Sequence, residues 1–569
     1  MISGPVTSRT IPGLLDRAAS RNPDGIWLRA DAEHWAGHGA AGHGAAGTSA
    51  AGTSAAGSSA GRTSAAGLTF AGAAGRAGAV AAALREAGVR RGDLVVVTAR
   101  TTPPYLLCWL ALASLGAVSV ATNPRSAPAE LAGLVRQVSP RALITDAGLA
   151  GLVDAAGIRD LPELGSLDVG ALGADPGAGH PASAALPDAG VRPDDLAVLI
   201  PTSGTTGRSK LVMQTHRAYA MAGEGFPFWM ELTAADRLMT SLPLFHINAP
   251  AYSVMGSLAC GAGLVLLPRF SASGFLDAAR RHGATEFNAI GAMLEILMRQ
   301  PPCADDADSP LRLCYTGPAP ERGRQEEIEA RFGLRIVVGY AMSESPYGLI
   351  WPRGTRPFGT LGAVRQHPVL GVVNEARVVD EAGADLGPGE TGELLLRNPV
   401  ITPGYWAMRE ETARVITGGW LHTGDLVTVG GDGTYTFVSR VKEVLRRRGE
   451  NLSPLEVEEV LAAHPAVLEC AVTGVPSDLS EEDVKAFVVA ADGAALDFAA
   501  LREYTAGRLA AFKVPRYWQQ VDQLPRTPTA RVAKHRLPAG HPPGEYDAEA
   551  AAPGDGAAGR NRAGGKDQP

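Results

Sequence analysis

The segment LIPTSGTTGRSKLVMQTH, residues 199–216, packs hydroxyls, glycines and a lysine into nine consecutive positions. Thr202, Ser203, Thr205 and Thr206 supply O–H donors, and Lys210 adds a positive charge at the exit. Gly204 and Gly207 let the backbone turn sharply and point N–H groups inward. A bend of this kind suits a cluster of anionic oxygens such as a phosphate chain. It lacks the spacing G-x-x-x-x-G-K-[ST], whose loop must open a helix so that the helix N-terminal amides hold the phosphate. Here LAVLI before the bend and KLVMQTH after it both read as strands. Taken alone, the same residues also describe a hairpin turn with no ligand, because turns favour Ser, Thr and Gly.

The elements around this bend alternate. FAGAAGRAGAVAAALREAG carries an apolar helical stripe closed by Gly88, and RRGDLVVVTA follows as a buried strand. PYLLCWLALASLG with AVSVAT repeats the unit, as does PAELAGLVRQVSP with RALITD. Such alternation predicts an α/β fold: a large N-terminal body of layered, mostly parallel sheets covered by helices, over residues 1–441. After about residue 440 the texture changes to a small α+β unit, with AVLECAVTGV and VKAFVVAA as strands, over residues 442–540. Its first helix starts at Ser453 as N-cap, with Pro454 in the first helical position and Glu456 completing a capping box. Residues 36–67 form an imperfect Ala/Gly/Ser repeat with almost nothing to bury, read as a flexible insertion whose His38 and His43 are solvated. The segment 541–569, rich in Ala, Gly, Pro and charge, reads as a disordered tail.

Composition narrows the function. A chain of 569 residues exceeds one hydrophobic core, so two or three domains are expected. The formal net charge of -7 argues against a nucleic-acid scaffold. Cys108, Cys260, Cys303, Cys314 and Cys470 are odd in number and scattered, which fits a reducing compartment and no disulfide framework. The N-terminus lacks a charged-then-apolar export pattern, and no apolar run reaches membrane-spanning length. The expectation is a cytoplasmic protein with no nucleic-acid or membrane partner, a monomer or homodimer.

Six ordered segments resemble the ANL superfamily of adenylate-forming enzymes, which includes acyl-CoA synthetases, over about residues 10–537 without the insertion. TSGTTGRSK resembles its phosphate loop, with Ser209 where proline is common. LPLFHINA resembles the segment carrying the acyl-site histidine, here His246. YTGPAP (315–320), containing Gly317, and VVGYAMSES (337–345), containing Tyr340, Ser343 and Glu344, resemble the adenine-facing segments. WLHTGDL carries Asp425 at the ribose position, and SRVKEVLRRRGENLSPLEVE resembles the hinge and the start of a mobile lid.

The resemblance implies attack by a carboxylate oxygen on the α-phosphate of ATP, with pyrophosphate leaving. Both reactants are anionic, so the site must neutralise charge and align them. Thr202 through Gly207 and Lys210 would cradle the phosphates, and Thr205 with Glu344 would hold Mg²⁺ through hard oxygen ligands. Asp425 and Arg440 would take the ribose, Tyr340 the adenine face, and Gly317 and Ser343 their neighbours. Lys442 is the implied hinge. Gly449 and Asn451 would line a channel for the CoA thiol, with Arg446, Arg447 and Arg448 near its phosphates. The small-molecule partners implied are therefore ATP, Mg²⁺, a small acid and CoA.

In one place the chain departs from the family. In LPRTPTARVAKHRL, residues 524–537, the catalytic lysine that usually follows Thr-Pro-Thr-Gly is absent. Arg531 occupies that neighbourhood, and Lys534 is the nearest lysine. A planar guanidinium and a compact ammonium are not interchangeable, so either residue is a candidate for the lid's catalytic cation. For the acid, Phe226, Phe228, Trp229, Tyr252, Tyr347 and Trp351 are candidate pocket aromatics, able to box a quaternary ammonium or stack on an aryl acid, or else ordinary core residues. FNAIGAMLEILM (287–298) is similar to the subgroup that includes crotonobetaine/carnitine-CoA ligases. Two other readings remain at this level: a diazotase that activates nitrite for attack by an aryl amine, and a nucleotide-binding relic without turnover.

Overall fold

The alternating segments fold into two large sheets in the N-terminal part of the chain. The computed structural model describes residues 9–35, 66–159, 165–173, 184–202, 210–317, 320–441, 445–447, 450–476, 482–509, 511–526, 532–538, 540–542 and 544–549. The first sheet has six strands, in the order Gly165–Asp168, Ala142–Thr145, Leu94–Thr98, Val118–Ala121, Leu196–Thr202 and Lys210–Thr215. Its pairs are parallel except the last, Leu196–Thr202 against Lys210–Thr215, which is antiparallel. Strands read as continuous apolar runs are buried on both faces, as parallel strands under helices must be. The helix Pro103–Leu115 shows the same logic: proline opens it, every residue is buried, and Gly116 at φ 67° ends it in the left-handed region.

The second sheet has nine strands. Its central run of Arg335–Met342, Leu313–Thr316, Glu286–Asn288, Arg237–Thr240, Gly263–Leu266 and Ile26–Ala30 is parallel, and antiparallel strands close both edges. One of those edge strands is Ala66–Thr69, so the sequence reading placed the end of the Ala/Gly/Ser insertion two residues too late: pairing with Ile26–Ala30 orders Ala66 and Gly67. Residues 36–65 lie outside the described residues.

The chain divides into two compact units, Met1–Thr423 with Val427–Phe437, and Gly424–Leu426 with Val438–Pro569. In the second, a four-stranded sheet runs in the order Val467–Pro476, Glu482–Ala490, Tyr517–Gln520 and Tyr546–Asp547. Pro454–Ala462 is a helix as expected, but the capping box is not formed. Ser453 Oγ donates to the Val438 carbonyl, 2.9 Å, and Glu456 instead accepts from Lys513 Nζ, 2.7 Å.

The segment after Gly540, expected to be disordered, is described over residues 541–542 and 544–549 and pairs there with the rest of the unit. Composition hid two anchors. Lys485 Nζ, fully buried, lies 2.5 Å from Glu545 Oε1 and donates to the Gly540 carbonyl at 2.8 Å. Arg516 forks onto Asp547 at 3.1 Å, and Tyr546–Asp547 pairs with Tyr517–Gln520. The residues from 550 on lie outside the described residues.

Two predictions follow from buried charge. Glu545→Ala leaves the Lys485 ammonium without its carboxylate and should destabilise the second unit by about 3–5 kcal/mol. Faster hydrogen exchange along Glu482–Ala490 would report this, and unchanged exchange would count against it. At the start of the helix His216–Met230, the His216 ring is buried with neither nitrogen hydrogen-bonded among the described residues, and burial pushes its pKa down to about 4. Because the folded value lies below the ordinary 6.5, its contribution is complete above pH 6.5 and is lost as pH falls toward 4, about 3 kcal/mol in all. Titration of the ring resonance checks this, and a midpoint near 6.5 would reject it.

Candidate adenylate-forming site

The bend singled out in the sequence joins the antiparallel edge pair. Thr202 and Lys210 are cross-strand partners, and Thr202 Oγ1 donates to the Lys210 carbonyl at 3.3 Å. Ser203, Gly204, Thr205, Thr206 and Gly207 lie outside the described residues. At the exit, Lys210 Nζ lies 2.7 Å from Glu411 Oε2 and 5.0 Å from the centre of the Tyr405 ring. The Tyr405 hydroxyl donates to Glu344 Oε1 at 2.8 Å. Burial first, then the Glu344 charge, raises the Tyr405 pKa far above its ordinary value, so the phenol keeps its proton and holds the carboxylate in place. Lys210 and Glu344, far apart in sequence, are thus bridged by one tyrosine. Sequence reasoning missed Tyr405. The only local signal is Gly404 before it, at φ 130°, where the chain bends back to the strand Lys210–Thr215.

Ser343 is placed by its backbone: its carbonyl accepts from the Gln214 side chain, which projects from the same hairpin. Tyr340 is half-buried beside Met342, its hydroxyl 3.9 Å from the sulfur. Gly317 directly follows the strand Leu313–Thr316, and Gly339 lies in its parallel neighbour Arg335–Met342. A Cβ at Gly317 would stand 2.3 Å from the Gly339 carbonyl oxygen, so the backbone itself demands glycine. His246 lies in the turn before a π-helical stretch, Ala249–Val254, its ring 4.5 Å from that of Phe245. Asn248 Oδ1, two residues on, accepts from Asn288 Nδ2 at 2.6 Å.

The candidate pocket aromatics separate into two groups. Trp229, Tyr252 and Tyr347 are buried and close together: Trp229 meets Tyr347 edge-on at 4.9 Å, and Tyr252 stacks on Phe226 at 5.2 Å. Phe228 does not join them. It is 39% exposed under the Arg353 guanidinium, because the helix His216–Met230 turns that position outward.

In the second unit, Asp425 is buried and Arg440 Nε lies 3.2 Å from its Oδ1, after a turn that Gly424 makes at φ 69°. Lys534 Nζ lies 2.8 Å from Glu458 Oε1, which ties the turn Lys534–Arg536 to the helix Pro454–Ala462. Arg447 is not available to CoA phosphates. It is buried, forked between Asp483 at 2.9 Å and the carbonyls of Phe512 and Val514. Lys442, Gly449 and Arg531 lie outside the described residues, as does the side chain of Asn451.

Comparison with known proteins supplies the family. The family described as AMP-binding enzyme matches residues 53–406, and its C-terminal domain matches residues 456–531. A crotonobetaine/carnitine–CoA ligase from Salmonella agona is 31% identical over 471 residues, covering 79% of this chain and 89% of that protein. Among solved structures, ATP-bound MatB from Rhodopseudomonas palustris superposes with a TM-score of 0.78 at 26% identity, covering 92% of this chain and 98% of that one. The anthranilate CoA ligase AuaEII with anthranoyl-AMP, at 24% identity and a TM-score of 0.79, covers 94% and 97% and shares the fold. Nothing in these likenesses favours the nitrite reading. Together with the hairpin bend and the Tyr405-bridged cluster, they establish that the chain belongs to the AMP-binding enzyme family and is an adenylate-forming ligase.

Proposed function

We propose that this chain joins the carboxylate of a small acid to AMP, releasing pyrophosphate, and then transfers the acyl group to the CoA thiol. The observation that carries the reading is the Lys210–Tyr405–Glu344 cluster at the exit of the bend, which sets a cation and a carboxylate around one edge of the loop. That polarity suits a polyphosphate, whose charge Lys210 would offset, with the segment Thr202–Gly207 as its proposed cradle. The CoA ligases among its relatives support CoA as acceptor.

The Glu344 carboxylate, oriented by the Tyr405 hydroxyl, fits a hard divalent cation, which takes oxygen ligands and leaves most of its shell to phosphate and water. Among the described residues no cluster of three or more His, Cys, Asp or Glu side chains could hold a metal. When bound, Mg²⁺ would neutralise phosphate charge, with Glu344 and Thr205 as its protein ligands. Tyr340 offers a flat face to adenine, flanked by Gly317 and Ser343. Asp425, steadied by Arg440, accepts the ribose hydroxyls. His246 borders the acid, and Trp229, Tyr252 and Tyr347 wall its far end.

In the lid, Lys534 is committed to Glu458, which favours Arg531 as the cation that meets the α-phosphate. Lys442 serves as hinge, and Gly449 and Asn451 border the thiol's path.

Pyrophosphate release with a panel of aliphatic and aryl acids, with and without CoA, tests the reading; no ATP-dependent pyrophosphate with any acid would reject it. In the same assay Glu344→Gln should slow turnover by on the order of 10²-fold. Arg531→Ala should cost about 10²–10³-fold and Lys534→Ala less than about tenfold. The reverse order would return the catalytic role to Lys534.

A further inference from the structure

The aromatic cluster at the far end of the acid site is already filled by a cation. Arg365 is fully buried. Its guanidinium carbon stands 4.8 Å from the centre of the Trp229 ring, 5.1 Å from Tyr252 and 5.6 Å from Tyr315. Every hydrogen-bond partner is neutral. Nε donates to the Leu349 carbonyl at 3.0 Å, Nη1 to the Tyr252 hydroxyl at 2.8 Å and the Pro346 carbonyl at 3.1 Å, and Nη2 to the Tyr315 hydroxyl. Among the described residues no carboxylate meets this charge. The nearby buried acid, Glu224, is taken up by Arg9 at 2.7 Å, Arg17 at 3.4 Å and His367 at 3.1 Å. Two arginines and a histidine therefore share that one carboxylate, and Arg365 is not among them.

The guanidinium also borders the nucleotide strands directly. A Cβ placed on Gly339, the residue before Tyr340, would stand 2.7 Å from Arg365 Nη2 and 2.6 Å from the Tyr315 ring. Tyr315 lies two residues before Gly317, and Tyr252 six after His246, so the cage walls belong to the segments that carry the acid and adenine positions. A ring of aromatic faces attracts a cation by its quadrupole, but one such ring serves one cation at a time. In a buried, weakly screened setting, a second positive charge brought alongside is repelled over several ångströms.

We propose that Arg365 is a specificity-determining residue that occupies the aromatic cage and excludes acids with a cationic far end, so that the substrate is an acid whose distal part is uncharged or anionic. This rests on the reading of the cluster as the far wall of the acid site. It separates this chain in substrate class from the crotonobetaine/carnitine–CoA ligase it is similar to.

The test compares γ-(trimethylammonio)butyrate with its uncharged tert-butyl isostere, which has the same shape and lacks the charge. Pyrophosphate release and equilibrium binding in the presence of a non-hydrolysable ATP analogue are both measured. The wild-type protein should prefer the isostere by tenfold or more in each. Arg365→Met, which keeps bulk and removes the charge, should narrow that preference at least tenfold, whereas Arg365→Lys should retain most of it. Equal use or binding of the two acids by the wild-type protein would overturn the proposal without any variant having to fold. A preference that survives Arg365→Met unchanged would overturn it as well. Absence of pyrophosphate with every acid, while binding still discriminates, would reject the ligase reading and leave the assignment of Arg365 standing.

Discussion

The proposed nucleotide site depends on a change of strand direction at a sheet edge. Parallel strands can be joined only by long crossovers, so a tight bend that turns its amides onto a ligand needs an antiparallel pair. The chain supplies one such pair in its six-stranded sheet, and Thr202 opposite Lys210 is the last rung before the bend. Buried strands on one side fix the position of that rung. On the other side Lys210 is pinned by Glu411 and Tyr405, and Tyr405 in turn pins Glu344. The flanks of the bend are thus fixed by a backbone constraint first and by side-chain charge second.

Much of this was legible in the residues. Continuous apolar runs identified the buried strands, and glycine and proline marked where helices end and begin, because these signals are local. The bend was legible as a hairpin because both flanks read as strands. What escaped were contacts made across long stretches of chain. Tyr405 meets the loop from 195 residues away, counting from Lys210 in the sequence, and Arg365 enters the aromatic cluster from an edge with no motif of its own. Phe228 was misread because neighbours on a helix point in different directions: Trp229 turns inward and Phe228 outward. The capping box failed for a related reason. Ser453 has a tertiary acceptor in the Val438 carbonyl, and that bond replaces the local one.

The lid illustrates how a catalytic pattern can be altered without loss of its frame. The second unit holds two strands and a helix of the expected kind, and Lys534 is bound to Glu458 of that helix. A basic residue in a short cationic stretch can be part of the core, as Arg447 is. Charge counted along the chain says little about which cations remain free to meet a ligand.

The short strand Tyr546–Asp547 has one more consequence. It lies along Tyr517–Gln520, which would otherwise be the border of the small sheet and would offer a row of bare amides and carbonyls to any passing chain. An uncovered sheet edge invites such pairing wherever it meets another extended chain. Two residues of added strand, held down by Glu545 and Asp547, act as a selvage against self-association.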